Sequence, residues 1–245
     1  MNTEYRKTLY QNYHSTQSGR ASRRDKKEQF QIEKKQFQLE VLPLLKGVSK
    51  DAIICDVGCG SGSMLAALAE AGYVNAFGVD VSPEQVELAK EMGLSNVHCQ
   101  DFFEYISQNE LQCDVVIGMD IIEHFTKTEL VAFLSKMKES LNQKGQVIFR
   151  TPNLDAPLAT VFANGDFTHE NYMNQSSAEQ VMLASGFSTV QVLPSLMRVA
   201  NPMKEFFRKL AFAFLTIRLK LSLFATARST KGIILSPNML IKAEK

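Results

Sequence analysis

The stretch Asp56-Val57-Gly58-Cys59-Gly60-Ser61-Gly62 decides how this 245-residue chain is read. It follows an apolar run, Ala52-Ile53-Ile54-Cys55, predicted to be a buried strand. It precedes Ser63-Met64-Leu65-Ala66-Ala67-Leu68-Ala69, predicted to be a helix. Glycines at alternate positions between strand and helix let a ligand come against the backbone, since no Cβ stands in the way. The helix amino terminus adds free N–H groups and a positive dipole end. A dinucleotide fold requires G-x-G-x-x-G, whose third glycine would fall at Ser63. Here an acid, Asp56, stands two residues before the first glycine instead. A carboxylate accepts hydrogen bonds from an ammonium group and repels a pyrophosphate. A glycine-rich turn that binds nothing is the alternative.

The following segments narrow the choice. Ala76-Phe77-Gly78-Val79-Asp80-Val81 reads as a second strand ending in an acid, and Ser82-Pro83-Glu84 as a helix start. Asp80 lies about twenty residues past the glycine turn, where a second-strand acid meets ribose hydroxyls. A third strand, Asn96-Val97-His98-Cys99-Gln100, runs into Asp101-Phe102-Phe103. A fourth, Asp114-Val115-Val116-Ile117-Gly118-Met119, leads into Asp120-Ile121-Ile122-Glu123-His124-Phe125. In this order the motifs resemble those of the class I S-adenosylmethionine-dependent methyltransferases, over roughly residues 50 to 193 plus the final strand. The resemblance implies S-adenosylmethionine as cofactor, with Asp56, Gly58, Cys59, Gly60 and Gly62 at its amino-acid end. It implies Asp80 and Val81 at the ribose, Asp101 and Phe102 at the adenine, and Met119 at the end of the fourth strand.

Alternating strands and helices imply an α/β fold with a doubly wound, mostly parallel sheet covered on both faces. The strands are expected at 52–57, 76–81, 96–100, 114–119 and 146–151, and helices at 62–71, 83–92 and 127–141. The last of these ends in Asn142-Gln143-Lys144-Gly145, read as a glycine stop. A further helix is expected at 176–185, capped by Ser176 or Ser177. Strands at 187–193 and 239–243 complete seven, and the resemblance implies that these two form an antiparallel hairpin at the sheet edge. Residues 1–48 read as a polar, tyrosine-bearing arm (Tyr5, Tyr10, Tyr13), suited to a lid, followed by an amphipathic helical cap ending near Pro43. Residues 49–245 form the main domain, with 196–232 inserted in it.

A net charge of +1 gives no overall attraction to nucleic acid, and no Asn/Asp-Pro-Pro-Tyr motif follows the fourth strand. Cys55, Cys59, Cys99 and Cys113 lack metal-ligand spacing and read as small buried residues of a reducing compartment. Cys59, inside the glycine turn, is the one expected to meet thiol reagents. The polar amino terminus has no signal-peptide pattern, so a cytoplasmic protein is expected.

The insertion departs from the plain fold. Residues 203–231 are rich in Phe and Leu and carry Lys204, Arg208, Lys209, Arg218, Lys220, Arg228 and Lys231 against one acid, Glu205. The charges interrupt every run before the roughly twenty residues that crossing a bilayer requires. Two readings compete: a helix packed against the domain or a second copy in a homodimer, or an interfacial helix on the inner face of an anionic membrane.

Methyl transfer from a sulfonium needs alignment and exclusion of water, and a hydroxyl acceptor also needs a base. His98 falls in a strand and His14 on the arm, whereas His124 and His169 fall at the carboxyl edge of the sheet and are the catalytic candidates. The segment Asp120-x-x-Glu123-His124 resembles a stretch of ubiquinone-biosynthesis O-methyltransferases associated with a divalent metal. A helix start with acids favouring its dipole is the other reading, and no metal is assigned. Arg150-Thr151-Pro152-Asn153 and Gly165-Asp166-Phe167-Thr168-His169-Glu170 resemble methyltransferases of bacterial glycan assembly, implying a sugar-hydroxyl acceptor. The competing functions are therefore glycan O-methylation, quinone-type lipid O-methylation, and cofactor-fold binding without catalysis.

Overall fold

The structure is a computed structural model that describes residues 8–9 and 25–245. The expected arm with its tyrosines and His14 lies outside the described residues. The elements run α1 (Lys26–Glu40), β1 (Ile54–Val57), α2 (Ser63–Glu70), β2 (Ala76–Asp80), α3 (Pro83–Glu91), β3 (Val97–Cys99), α4 (Phe102–Asn109), β4 (Cys113–Met119), α5 (Lys127–Glu139) and β5 (Leu141–Pro152). They continue with α6 (Ala159–Ala163), α7 (Gln175–Ala184), β6 (Thr189–Pro194), α8 (Pro202–Ala225) and β7 (Asn238–Glu244).

The seven strands form one sheet in the order β3-β2-β1-β4-β5-β7-β6. The first five are parallel, and β7 runs antiparallel to both β5 and β6. The expected terminal hairpin forms, with β7 inside and β6 at the edge. The order reverses between β1 and β4, so the carboxyl ends of those strands open onto the crevice where open α/β sheets bind ligands.

Alternation along the strands builds a core on each face. Val115 and Ile117 of β4 and Ile148 of β5 pack with Leu68 of α2, Val86 of α3 and Phe37 of α1. Val116, Val147 and Phe149 pack on the other face with Ile106 of α4, Leu134 of α5 and Met182 of α7. Their near-complete burial explains why these strands read as continuous apolar runs.

Several expectations are corrected. Helix α4, absent from the sequence reading, is a short amphipathic helix started by Asp101. Helix α5 ends at Ser140, and Gly145 lies in β5 rather than stopping the helix. A Cβ on Gly145 would come within 3.0 Å of Asn142 O and Cys113 O, so the glycine serves the close approach where β4 and β5 shift register. Asn174, not Ser176 or Ser177, caps α7 in a capping box with Ser177. Cys99 is exposed at the end of a three-residue strand. Cys59 is buried, and burial pushes its thiol pKa up, which opposes the expected reactivity. The insertion is one long helix, α8, in which no residue is buried, so it does not pack into its own domain.

Candidate functional site

A cavity of about 620 Å³ opens at the switch point. Its floor is Asp56 at the end of β1 and the turn Gly58-Cys59-Gly60-Ser61. Met119 and Asp120 close one side, Gln85 and Leu88 of α3 another, and Phe30, Glu33 and Phe37 of α1 form the roof. The cap expected from the sequence is therefore a wall of the site. Glu33 fixes it there, accepting a hydrogen bond from the Ser63 hydroxyl at 3.2 Å.

The backbone explains the glycines. Gly60 has φ +52° and Gly62 φ +79°, in the left-handed region where an L side chain is strained by roughly 1–2 kcal/mol. A Cβ on Gly62 would also fall 2.1 Å from Leu94 Cδ1. Asp80 holds the turn from the next strand: its carboxylate accepts from Gly60 N at 2.9 Å and from Ser82 N at 2.8 Å. Ser82 in turn caps α3 through Gln85 N.

Asp56 and Asp80 make the site electrostatically hungry for a cation. Burial raises the pKa of each, and the nearby Asp80 charge raises Asp56 further. A ligand with ammonium and sulfonium charges and a ribose diol fits this donor set, and glycine N–H groups and apolar Phe30, Phe37 and Leu88 complete it. Of the expected cofactor contacts, Asp56, Gly58, Cys59, Gly60 and Met119 line the cavity, and Gly62 and Asp80 brace it. Val81, Asp101 and Phe102 are not in its lining. Val81 points to solvent, Asp101 caps α4 through Phe103 N and Glu104 N, and Phe102 is buried in the core.

An ion network that the sequence did not announce stands at the other wall. Asp120 has φ +56°, a strained position of the kind found at sites. Its carboxylate is held by the Arg150 guanidinium, with Nε donating to Oδ1 at 3.0 Å. Arg150 Nη1 also pairs with buried Glu40 of α1 at 3.3 Å. Both acids push the Arg150 pKa further up against the opposing effect of burial. No spacing links residues 40, 120 and 150: Asp120 and Arg150 fall in separate sequence motifs, and nothing in the sequence marks Glu40.

One turn of 3₁₀ helix (Ile122–His124) beyond Asp120, the two candidate histidines meet. Their ring centroids lie 4.9 Å apart. The long loop between β5 and α7 is latched over them: Glu170 N and Asn171 N donate to Glu123 O at 2.8 and 2.9 Å. Thr168 Oγ1 donates to Asp166 Oδ1 at 2.6 Å and lies 2.8 Å from His124 Nδ1. With the threonine proton on the carboxylate, the tautomer that satisfies this pair has the hydrogen on His124 Nδ1 and the lone pair on Nε2. Burial, then the His169 charge, lowers the His124 pKa. His169 Nδ1 likewise donates to Ala163 O at 2.7 Å, and its Nε2 lies 4.0 Å from Glu123 Oε1. Glu123 is 1% exposed, and burial raises its pKa well above the ordinary carboxylate value. Glu123, His124 and His169 could together offer a metal ion three ligand atoms. Asp120, which the sequence grouped with Glu123 and His124, is instead engaged by Arg150.

A sequence profile described as a methyltransferase domain matches residues 28–192. The chain is 38% identical over 111 residues to a ribosomal protein L11 methyltransferase of Clostridium botulinum, covering 44% of this chain and 34% of that protein. It is 31% identical over 109 residues to a ubiquinone biosynthesis O-methyltransferase of Actinobacillus pleuropneumoniae, covering 41% and 45%. The chain thus spans between a third and a half of the length of these curated relatives. Among solved structures, a SAM-dependent methyltransferase from Archaeoglobus fulgidus aligns with TM-score 0.63 and 20% identity, covering 88% of this chain and 94% of that one. Magnesium protoporphyrin IX methyltransferase from Synechocystis aligns with TM-score 0.61 and 17% identity, covering 100% and 98%. Such identities speak for the fold alone. The profile spans most of the chain, and with the sheet order and the Asp-x-Gly-x-Gly-x-Gly turn it leads to one conclusion: the chain belongs to the methyltransferase-domain family, with the class I S-adenosylmethionine-dependent methyltransferase fold.

Proposed function

We propose that the protein transfers the methyl group of S-adenosylmethionine to a hydroxyl oxygen, with His124 as the general base. The observation that carries this reading is the chain Asp166–Thr168–His124, which fixes a neutral imidazole beside the residues that close the cofactor cavity. When bound, S-adenosylmethionine supplies a methyl carbon activated by the sulfonium and a neutral leaving group. The protein's own part is to hold, align and deprotonate. Asp56 on the cavity floor holds the cationic end, Asp80, bound to Gly60 N of the turn, takes the ribose end, Arg150 keeps Asp120 in place, and α1 roofs the cavity against water. His124 Nε2 takes the acceptor proton, and Thr168 and Asp166 steady the imidazolium that results. His169 and Glu123 pack behind it.

The ubiquinone-biosynthesis relatives favour a phenolic hydroxyl on a lipid. A sugar hydroxyl is the second reading. It is favoured by the convergence of residues 150–153 and 165–170, the two glycan-type strings, through Thr151 Oγ1 on Glu123 at 3.2 Å and Thr168 on His124. The test is methyl transfer from labelled cofactor to a panel of prenylated phenols, sugars and nucleotide sugars, with products identified by mass. A methyl ether on a phenol is expected. Turnover confined to sugars selects the second reading. Methylation of nitrogen or of a protein substrate, with none on oxygen, overturns the proposal. Full activity after exhaustive chelation is expected, and loss of activity restored by a divalent ion would reassign His124 from base to ligand.

A further inference from the structure

We propose that α8 docks in the plane of an anionic lipid bilayer and holds the open edge of the site against it. The helix is 24 residues long and buries none of them. Phe207, Leu210, Phe214, Ile217, Leu221 and Phe224 recur at alternating steps of three and four, which aligns them on one stripe. They are 53–78% exposed, an apolar band roughly 26 Å long at 1.5 Å per residue. A band of that size on a soluble surface requires a covering partner.

The flanking charges select the partner. Read as a heptad, the stripe occupies the a and d positions, and the neighbouring e and g positions carry Lys204, Arg218 and Lys220 with no acid. Such flanks decide pairing between helices. A second copy would bring the same basic flanks and no acid to pair with them. The single acid of the helix, Glu205, is already held within it by Arg208 at 2.7 Å. Basic residues on both flanks of an aromatic stripe instead match a surface of acidic headgroups over acyl chains, with the lysine and arginine stems extending to the headgroups. No helix among the described residues is long and apolar enough to cross a membrane, so α8 lies in the interface.

The stems of the insertion fix which way the protein faces. Both leave the sheet at its ligand edge: Pro194 ends β6 opposite Met239, and Asn238 lines the cavity. Leu196 N donates to Glu40 Oε1 at 2.9 Å, and the Asn153 amide donates to Ile234 O and Ser236 O at 2.8 and 3.0 Å. A docked α8 therefore sets the cavity mouth near the lipid surface. This inference stands on α8 and its stems, whatever the acceptor.

The test is sedimentation of the full chain with vesicles of equal parts phosphatidylglycerol and phosphatidylcholine. Binding is expected at about 0.1 M salt and loss at about 1 M, where the Debye length shrinks to roughly 3 Å. Pure phosphatidylcholine should retain far less. Arg218→Glu with Lys220→Glu should weaken partition at least about 25-fold, taking about fivefold per charge, with an unchanged unfolding temperature because neither residue is buried. Phe214→Ser with Ile217→Ser should also abolish retention. Absence of vesicle binding at low salt overturns the proposal. So does a concentration-dependent dimer that Phe214→Ser dissolves, which would assign the stripe to a second copy.

Discussion

Replacing Glu40 tests how the roof of the cavity is held. Glu40 is 6% exposed at the last turn of α1 and makes two long-range contacts. Oε2 pairs with Arg150 Nη1 at 3.3 Å, and Oε1 accepts from Leu196 N at 2.9 Å. Hydrogen bonds involving a charged group contribute about 1.5–3 kcal/mol each. Glu40→Ala loses both and leaves a buried cation with one fewer counter-charge, so the expected loss of unfolding free energy is about 3–5 kcal/mol. Glu40→Gln keeps an acceptor for Leu196 and loses only the ion pair, so about 1.5–3 kcal/mol is expected. Arg150 remains neutralised by Asp120 in both variants, which sets the upper bound. Urea unfolding followed by circular dichroism gives the free energies, and cofactor titration should show a weakened roof in the same order, alanine worse than glutamine. A loss below about 1 kcal/mol for Glu40→Ala would place Glu40 among screened surface charges and refute the reasoning.

Three further outcomes are expected. The methyl-transfer rate should rise with pH through a His124 pKa lying below the ordinary value of about 6.5 and then level off, because only the neutral imidazole accepts a proton. His124→Gln should remove that limb and about 10²–10⁴-fold of turnover with cofactor affinity kept; a pH profile and rate like the wild type would exclude the base. Thr168→Val should lower turnover in the same direction by freeing the Nδ1 proton that now has a fixed acceptor, and kcat unchanged in this variant would separate Thr168 from catalysis. Cofactor binding should strengthen as pH rises through the raised Asp56 pKa, because the cationic ligand favours the ionised carboxylate and must displace its proton. Calorimetry in two buffers of different ionisation enthalpy should then detect proton release, and proton uptake would contradict the assignment.

The sheet was legible because its strands are buried on both faces. Runs such as Val115-Val116-Ile117 and Val147-Ile148-Phe149 have no other stable location. The glycine turn and Asp80 were legible because backbone conformation and a capped strand end constrain residue type locally. Helix α4 escaped because Asp101-Phe102-Phe103 was read as an adenine motif, and the same aspartate is a strong N-cap. The pairing of Asp120 escaped for a related reason: its neighbours Glu123 and His124 drew the two local readings, a ligand set or a helix start, and its partner Arg150 lies thirty residues away. The union of His124 with His169 was foreseen only as a common edge. Its geometry depends on Asp166 and Thr168, which turn the long loop back onto the 3₁₀ turn. The insertion showed its composition in sequence, but that none of α8 is buried required the fold.

The central claim is that the cavity floored by Asp56 and the glycine turn holds S-adenosylmethionine. Isothermal titration of the full chain with that ligand tests it most directly, with Asp80→Ala and Gly60→Val in parallel. The account predicts one site per chain. Asp80→Ala should weaken it by about 1–3 kcal/mol through loss of the bond to Gly60 N and of the proposed ribose contact. Gly60→Val should abolish binding, because a β-branched residue at φ +52° cannot keep the turn. No binding to the wild-type chain, or equal affinity in all three proteins, would contradict it.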